Sequence, residues 1–190
     1  AAKIAAGMGA DVTILDRSLT RLKYLDDVFG RDFKNQYSTA GATAELVREA
    51  DMVIGAVLIP GAAAPKLVSR AQLSEMKPGA VLVDVAIDQG GCFETSRATT
   101  HAEPIYEVDG IMHYCVANMP GAVARTSTQA LGNATLPFML NLANKGWRQA
   151  CEDDPHLLNG LNVHAGQLTY YAVGEALGID VLSPKLALKA

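Results

Sequence analysis

Two aspartates stand where buried β-strands are predicted to end, and each could do chemistry there. Asp16 closes the β-branched run 11–16, and Asp88 follows the apolar run 80–86, just before Gly90 and Gly91. In open α/β sheets, ligands bind beyond the carboxyl ends of the strands, where an acid can hold ribose hydroxyls. Paired glycines let the backbone approach such a ligand closely. Both acids are therefore candidates for a ligand site.

Each acid also has a structural explanation. Asp16 could cap the helix that follows it, and Asp88 could simply hold a turn. The glycine-rich fingerprint of dinucleotide-binding folds precedes the ribose-binding acid by about 20 residues. Counting back from Asp16 places the last glycine of that fingerprint just before residue 1, so the fingerprint is inferred and not seen in the sequence.

Three further strand ends carry residues that suit a ligand. Ser38 follows the weaker strand candidate 34–38, and Val57 and Leu58 end the apolar strand 51–58. Apolar side chains at such a point suit one face of an adenine or nicotinamide ring. Asn118 follows the predicted strand 111–116 in the same way.

The alternation of strands and helices predicts the fold. The strands are apolar throughout, which indicates a parallel sheet covered on both faces, and right-handed crossovers then give a doubly wound Rossmann-type α/β fold. After Met119 the pattern becomes helical. We expect a long helix over 126–145 with a kink at Pro137, a short helix from Asp154, a longer helix over 164–177 and a domain boundary near residue 125.

Composition excludes several classes of protein. The net charge is −4, and no two Lys or Arg residues are adjacent, which argues against nucleic acid or an anionic membrane as a partner. The longest strongly apolar stretch, 52–65, contains Gly and Pro and is too short to span a bilayer.

Histidines and cysteines give no sign of a metal site. The four histidines and three cysteines lack metal-ligand spacing, so we expect structural or solvated histidines and free thiols in a reducing cytoplasm. These residues are His101, His113, His156, His164, Cys92, Cys115 and Cys151.

Long stretches of the chain resemble the alanine dehydrogenase family, which is related to the proton-translocating transhydrogenases. The most specific are 83–91 (VDVAIDQGG), 113–123 (HYCVANMPGAV), Gly146-Trp147, Asp154-Pro155 and 160–162. The resemblance implies a cofactor domain over 1–125 that lacks its first strand and glycine loop. It implies that 126–190 is a linking helix and the α-helical tail of the substrate domain.

The resemblance also implies a reaction and roles for residues. The family oxidises L-alanine to pyruvate and ammonia, reversibly, with hydride passing to NAD, and it forms hexamers. Asp88 is implied as the catalytic residue and Asp16 as the ribose-binding acid. Contacts on the adenosine side are implied for Arg21, Ser38, Val57 and Leu58, and contacts near the nicotinamide for Val85, Asn118 and Met119. Since the family's substrate-binding residues lie in an N-terminal domain, the 190-residue chain alone is expected to be inactive.

Two other functions remain open at this point. One is a transhydrogenase-type NAD(H)-binding subunit, although 91–104 is short for that family's mobile loop. The other is a non-catalytic interaction module that keeps only the dinucleotide fold. Asp88 before Gly90 and Gly91 argues against the second of these.

Overall fold

The computed structural model describes residues 1–59 and 63–189, and the chain forms two compact units. The first unit contains Ala1–Val57 and Ala64–Ala117, and the second contains Leu58–Ala63 and Asn118–Ala190. The division after Ala117 precedes the sequence-based boundary near residue 125, and the assignment of these parts to two domains stays a prediction.

The first unit begins with a pair of parallel strands. Strand β1 (Thr13–Asp16) pairs with β2 (Lys34–Tyr37), and Asp16 lies opposite Tyr37. Between them runs helix α2 (Leu19–Phe29), which buries Leu22 and Leu25. Ser18 caps this helix through its side chain. A short helix α1 (Ala2–Gly7) precedes β1.

A second sheet of four strands forms the rest of the first unit. Its strand order is β3-β4-β6-β5. Strands β3, β4 and β6 are parallel, whereas β5 pairs with β6 in the antiparallel direction. The elements of this part are β3 (Met52–Gly55), β4 (Val81–Asp84), β5 (Ile105–Val108), β6 (Ile111–Tyr114), α3 (Ala40–Glu49) and α4 (Arg70–Leu73).

The predicted α/β fold is confirmed, with one addition. The sequence interpretation did not include strand β5, so the sheet is mixed and not purely parallel. Asp109 and Gly110 join β5 to β6 with φ of 52° and 81°. Two successive residues with positive φ form the tight turn that matches the twist of a hairpin. An Asp-Gly pair between apolar runs is the known sequence signal for that turn.

The hydrophobic core of the first unit surrounds β4 and β6. Leu82 is fully buried, and Leu73, Val68, Phe93 and Ile111 expose 2% or less. Alternate residues of β4 and β6 are buried and half-buried. This core fixes the sheet whose strand ends carry Asp84 and the segment that follows it.

The second unit is built on a long helix. Helix α5 (Ala124–Asp153) is interrupted at Gly146, where φ is 75° and ψ is 158°. The interruption directly follows residue 145, where the sequence predicted the helix to end, whereas Pro137 has helical dihedrals and a kink there stays a prediction. Glycine lacks the Cβ that excludes other residues from the Gly146 conformation. Leu131 and Met139 of this helix expose 65% and 61% of their surface.

A small hairpin and three short helices complete the second unit. Asp154 caps α6 (Pro155–Leu158) by accepting from two backbone N–H groups, as the predicted helix start requires. The helix expected to start at His164 is wrong over its first part. A turn at Ala165 and Gly166, with φ of 49° and 77°, closes a hairpin instead. The remaining elements are β7 (Val163–His164), β8 (Gln167–Leu168), α7 (Tyr171–Leu177) and α8 (Pro184–Ala187).

Candidate cofactor site

Asp16 and Ser38 lie side by side at the carboxyl edge of the first sheet. The backbone N–H of Ser38 donates to the carbonyl of Asp16 at 2.9 Å. One carboxylate oxygen of Asp16, Oδ1, accepts from the N–H of Ser18 at 2.7 Å. This bond orders the turn that leads into α2, whose capping residue is Ser18. The second oxygen of Asp16, Oδ2, has no hydrogen-bond partner among the described residues, so it can still accept from a ligand hydroxyl.

Arg21 occupies the first turn of α2, directly after β1. Its backbone N–H donates to Ser18 Oγ at 3.2 Å, and its guanidinium lies 4.9 Å from the centre of the Tyr24 ring. The side chain is exposed. Stacking on an aromatic ring gives an exposed guanidinium a preferred direction. Its contact with a cofactor stays a prediction.

The ends of β3 and β4 lie beside each other, and apolar residues follow each of them. Gly55 lies opposite Asp84, and the N–H of Val85 donates to the carbonyl of Gly55 at 2.8 Å. Val85 exposes 49% of its surface, while Val57 is half-buried. Leu58, which exposes 72%, belongs to the second unit. Exposed apolar surface at strand ends suits the face of an aromatic ring.

Asp88 lies one turn beyond β4. It is exposed and lies in a 3₁₀ helix of one turn, Ile87–Gln89. Gly90 follows this turn in the left-handed conformation, with φ of 84°. Among the described residues no hydrogen bond or ion pair engages its carboxylate. The side chain of Asp88 therefore does not hold the turn by a hydrogen bond, and its chemical role stays a prediction.

The buried acid at the end of β4 is Asp84, which the sequence interpretation did not single out. Asp84 is fully buried and accepts from the N–H groups of Ala86 at 3.0 Å and Cys92 at 2.8 Å. Ser96 Oγ also donates to it. A buried carboxylate requires such partners because removing an unpaired charge from water is costly. An acid inside the apolar run 80–86 was the signal available in the sequence.

Cys92 lies against this carboxylate and is inert as a nucleophile. Its Sγ is 3.4 Å from Asp84 Oδ1, and the residue is fully buried. Burial, together with the neighbouring carboxylate, raises the pKa of the Cys92 thiol to about 12. Only the thiolate reacts as a nucleophile, so a thiol with this pKa stays unreactive near neutral pH.

Asn118 and Met119 begin the second unit. Asn118 is exposed and left-handed, with φ of 56° and ψ of 52°, and its carbonyl accepts from the N–H of Gly121 at 2.9 Å. Met119 is half-buried and opens the 3₁₀ turn Met119–Val123. A non-glycine residue with positive φ is often found at a functional site. Grouping these two residues with Val85 and Asp88 stays a prediction.

The buried histidine of β6 has a structural environment. His113 is fully buried, with Nδ1 2.9 Å from the carbonyl of Ile111 and Nε2 2.7 Å from Thr95 Oγ1. Burial lowers the pKa of its imidazole.

Within the two described ranges, no group of three His, Cys, Asp or Glu side chains could hold a metal ion. In the same part of the chain, no helix is long and apolar enough to cross a membrane.

The parallel strands, the acid at the end of β1 and the turn after β4 define a Rossmann-type α/β domain, the class that binds dinucleotides. Residues 1–171 match the family described as "Alanine dehydrogenase/PNT, C-terminal domain". The chain belongs to this alanine dehydrogenase/PNT family and corresponds to the C-terminal half of its members.

Individual relatives agree with the family match. The chain is 67% identical over 180 residues to an alanine dehydrogenase of Halomonas elongata, covering 95% of this chain and 48% of that protein. A solved L-alanine dehydrogenase has a TM-score of 0.80 at 49% identity, covering 93% of this chain and 49% of that one. A transhydrogenase from Sinorhizobium meliloti has a TM-score of 0.63 at 29% identity, over 73% and 39% of the two chains. The chain spans about half the length of the curated relatives it matches.

Proposed function

We propose that this chain supplies most of the NAD site of an NAD-dependent alanine dehydrogenase. The proposed enzyme oxidises L-alanine to pyruvate and ammonia, reversibly, by hydride transfer to the nicotinamide. The observation that carries this proposal is the high identity to alanine dehydrogenases over nearly the whole chain. The geometry of the strand ends supports it.

The residues at the first sheet fit the adenosine part of NAD. Asp16 Oδ2 can accept from the ribose hydroxyls, and Ser38 lies next to it on the neighbouring strand. Arg21, Val57 and Leu58 complete the proposed adenosine contacts. Contacts with the nicotinamide are proposed for Val85, which offers exposed apolar surface, and for Asn118 and Met119.

Asp88 is the proposed catalytic residue. When bound, NAD would supply the acceptor for the hydride on the Cα of alanine. The nitrogen of the substrate then gains positive charge, and a carboxylate held nearby stabilises that charge. The same carboxylate can orient the water that hydrolyses the imine. Its exposed position on a fixed turn permits both roles.

The whole protein is proposed to act on small molecules as a homo-oligomer, a hexamer by family resemblance. We also propose a cytoplasmic location, because all three cysteines are free thiols and disulfides rarely persist in that compartment. Equilibrium sedimentation of the full-length protein tests the oligomer. A monomer at micromolar concentration would contradict it.

The activity is tested with the purified full-length protein, NAD and L-alanine. We expect NADH to form with L-alanine and much less with D-alanine, and pyruvate and ammonia to consume NADH. A transhydrogenase-type subunit is the alternative that the Sinorhizobium meliloti structure favours. Binding of NADH without oxidation of L-alanine would contradict the dehydrogenase proposal and support the alternative.

A further inference from the structure

The segment that carries Asp88 has little side-chain support of its own. It runs over 86–92, from the end of β4 to Cys92, and contains the 3₁₀ turn Ile87–Gln89. Because the carboxylate of Asp88 has no hydrogen bond among the described residues, the backbone of this segment determines where its Cβ lies and therefore which positions the carboxylate can reach. Whatever holds that backbone therefore positions Asp88.

From the inner side, one buried carboxylate binds both ends of the segment. Asp84 accepts from the N–H of Ala86, where the segment begins, and from the N–H of Cys92, where it ends. Gly91 passes so close that a Cβ there would lie 2.7 Å from Asp84 Oδ2. Its φ of 72° is likewise one that other residues rarely adopt.

From the outer side, one ammonium group holds the glycine turn. Lys66 Nζ donates to the carbonyl of Gly90 at 2.6 Å and to the carbonyl of Gly91 at 2.7 Å. Two backbone bonds flank this contact, from Ala64 N–H to the Gln89 carbonyl and from Leu67 N–H to the Cys92 carbonyl. Charged donors make shorter and stronger hydrogen bonds than neutral ones. Glycines have no side chain to pack, so these bonds do much to fix the turn.

We propose that Lys66 and Asp84 are positioning residues that hold Asp88 at the reacting centre. Asp84 binds the amide ends of the segment and Lys66 binds the carbonyls of its turn, and neither contacts the substrate. This inference rests on the catalytic role proposed for Asp88. The rate of the chemical step then depends on Lys66, a residue that no sequence motif indicated.

The test uses a substitution of Lys66, because this residue is exposed and replacing it leaves the core unchanged. Substitution of Asp84 is less suitable, because Asp84→Asn places an amide donor against other donors in the core. Lys66→Met keeps the length of the side chain and removes its donors. Lys77→Met is the matched control, since Lys77 forms an exposed ion pair with Asp51 at 2.8 Å in the same unit. Both variants are made in the full-length protein, with and without Asp88→Asn.

We expect Lys66→Met to lower kcat on the order of tenfold, because small displacements of a catalytic group cost that much or more. The Kd for NAD and the melting temperature should stay close to those of the Lys77→Met control. In the presence of Asp88→Asn, the further effect of Lys66→Met should shrink to less than about twofold, because the two changes remove one function. Hydrogen exchange in peptides covering 86–92 should quicken in Lys66→Met only.

Two other outcomes separate the inference from the function on which it rests. If Asp88→Asn lowers kcat but Lys66→Met does not, or if the two losses multiply, the positioning role is wrong and the proposed role of Asp88 stands. If Asp88→Asn itself leaves kcat within about threefold, the catalytic role of Asp88 fails and the inference fails with it.

Discussion

Asp88 presents its carboxylate to solvent from a turn that other groups hold. Asp88→Asn keeps the shape of the side chain and removes its charge, so it isolates electrostatic stabilisation. We expect kcat for alanine oxidation to fall on the order of 10²-fold or more, with a much smaller change in the Kd for NAD.

The control for this change is Asp27→Asn, an exposed aspartate of α2. Steady-state kinetics of both variants in the full-length protein give the comparison. Equal kcat values for the two variants would refute the catalytic role of Asp88.

Asp16 should set the choice between NAD and NADP. The 2′-phosphate of NADP would lie against the carboxylate, and like charges placed together cost several kcal/mol. An energy of that size corresponds to a preference for NAD of about 10²-fold or more in kcat/KM. Asp16→Ala should narrow the preference, mainly by weakening NAD, while Asp27→Ala should leave it unchanged. Equal kcat/KM for the two cofactors in the unmodified protein would refute the assignment.

The neutral imidazole of His113 makes stability depend on pH. Its Nδ1 must donate to the Ile111 carbonyl, so Nε2 accepts from Thr95 in the neutral form. Burial lowers its pKa below the value of about 6.5 that an unfolded histidine has. Below about pH 6.5 this histidine therefore binds a proton in the unfolded chain but not in the folded chain. The free energy of unfolding then falls as pH falls.

Urea unfolding at about pH 7.5 and about pH 5.5 tests this dependence. The loss of stability on acidification should be smaller in His113→Asn than in the unmodified protein. His156→Gln, at an exposed position, should keep the full loss. An unchanged loss in His113→Asn would assign the acid sensitivity to other groups.

At the scale of residues, the sequence predicted those positions that depend only on neighbouring residues in the chain. Asp16 and Asp88 follow apolar runs, so the sequence could place both near strand ends. The roles of Asp84 and Lys66 could not be predicted, because they depend on partners distant in sequence. Asp84 binds Cys92 across 8 positions and Lys66 binds Gly91 across 25. Nothing in the local sequence states that these groups meet.

The interruption of α5 depends on one glycine. At Gly146 the backbone has φ of 75° and ψ of 158°, a region that is essentially restricted to glycine. Gly146→Ala should lower the free energy of unfolding by about 1–3 kcal/mol, although no atom lies near the added Cβ.

Gly132→Ala is the matched control within the same helix. Gly132 has helical dihedrals and open space around its Cβ position, so alanine there should stabilise by about 0.5–1 kcal/mol. Urea unfolding monitored by circular dichroism measures both. A Gly146→Ala variant as stable as Gly132→Ala would show that the break does not need glycine.

At the scale of elements, helix and strand periods were readable but two glycine turns were missed. The hairpin at Asp109 and Gly110 added β5, and the hairpin at Ala165 and Gly166 replaced the start of a helix. Both turns use two successive residues with positive φ. Pro137 lies inside α5 with helical dihedrals, and the break lies at Gly146, directly after the predicted helix end at residue 145.

At the scale of the molecule, the class of fold followed from the alternation of strands and helices. The arrangement into two sheets, β1-β2 and β3-β4-β6-β5, did not. Strand order depends on which edges meet in space, and apolar runs alone do not encode it. The extent of each unit likewise depends on contacts between distant parts of the chain.

Because the three thiols are buried, their alkylation can be used to follow unfolding of the protein. Cys92 and Cys115 lie in the first unit and Cys151 lies in the second, and all three are buried. Burial also raises the pKa of the Cys92 and Cys151 thiols. An unfolded cysteine, with a pKa near 8.5, reacts readily with alkylating reagents.

Each unit therefore contains its own native reporter, and no label has to be introduced. Brief alkylation along a urea gradient, followed by mass spectrometry of peptides, should tag Cys151 at the midpoint of the second unit and the other two thiols at that of the first. Rapid tagging of Cys92 without urea would contradict its burial. The peptide that gains mass at the lower urea concentration identifies the unit that opens first, and the tagged samples then hold a permanent chemical record of that order.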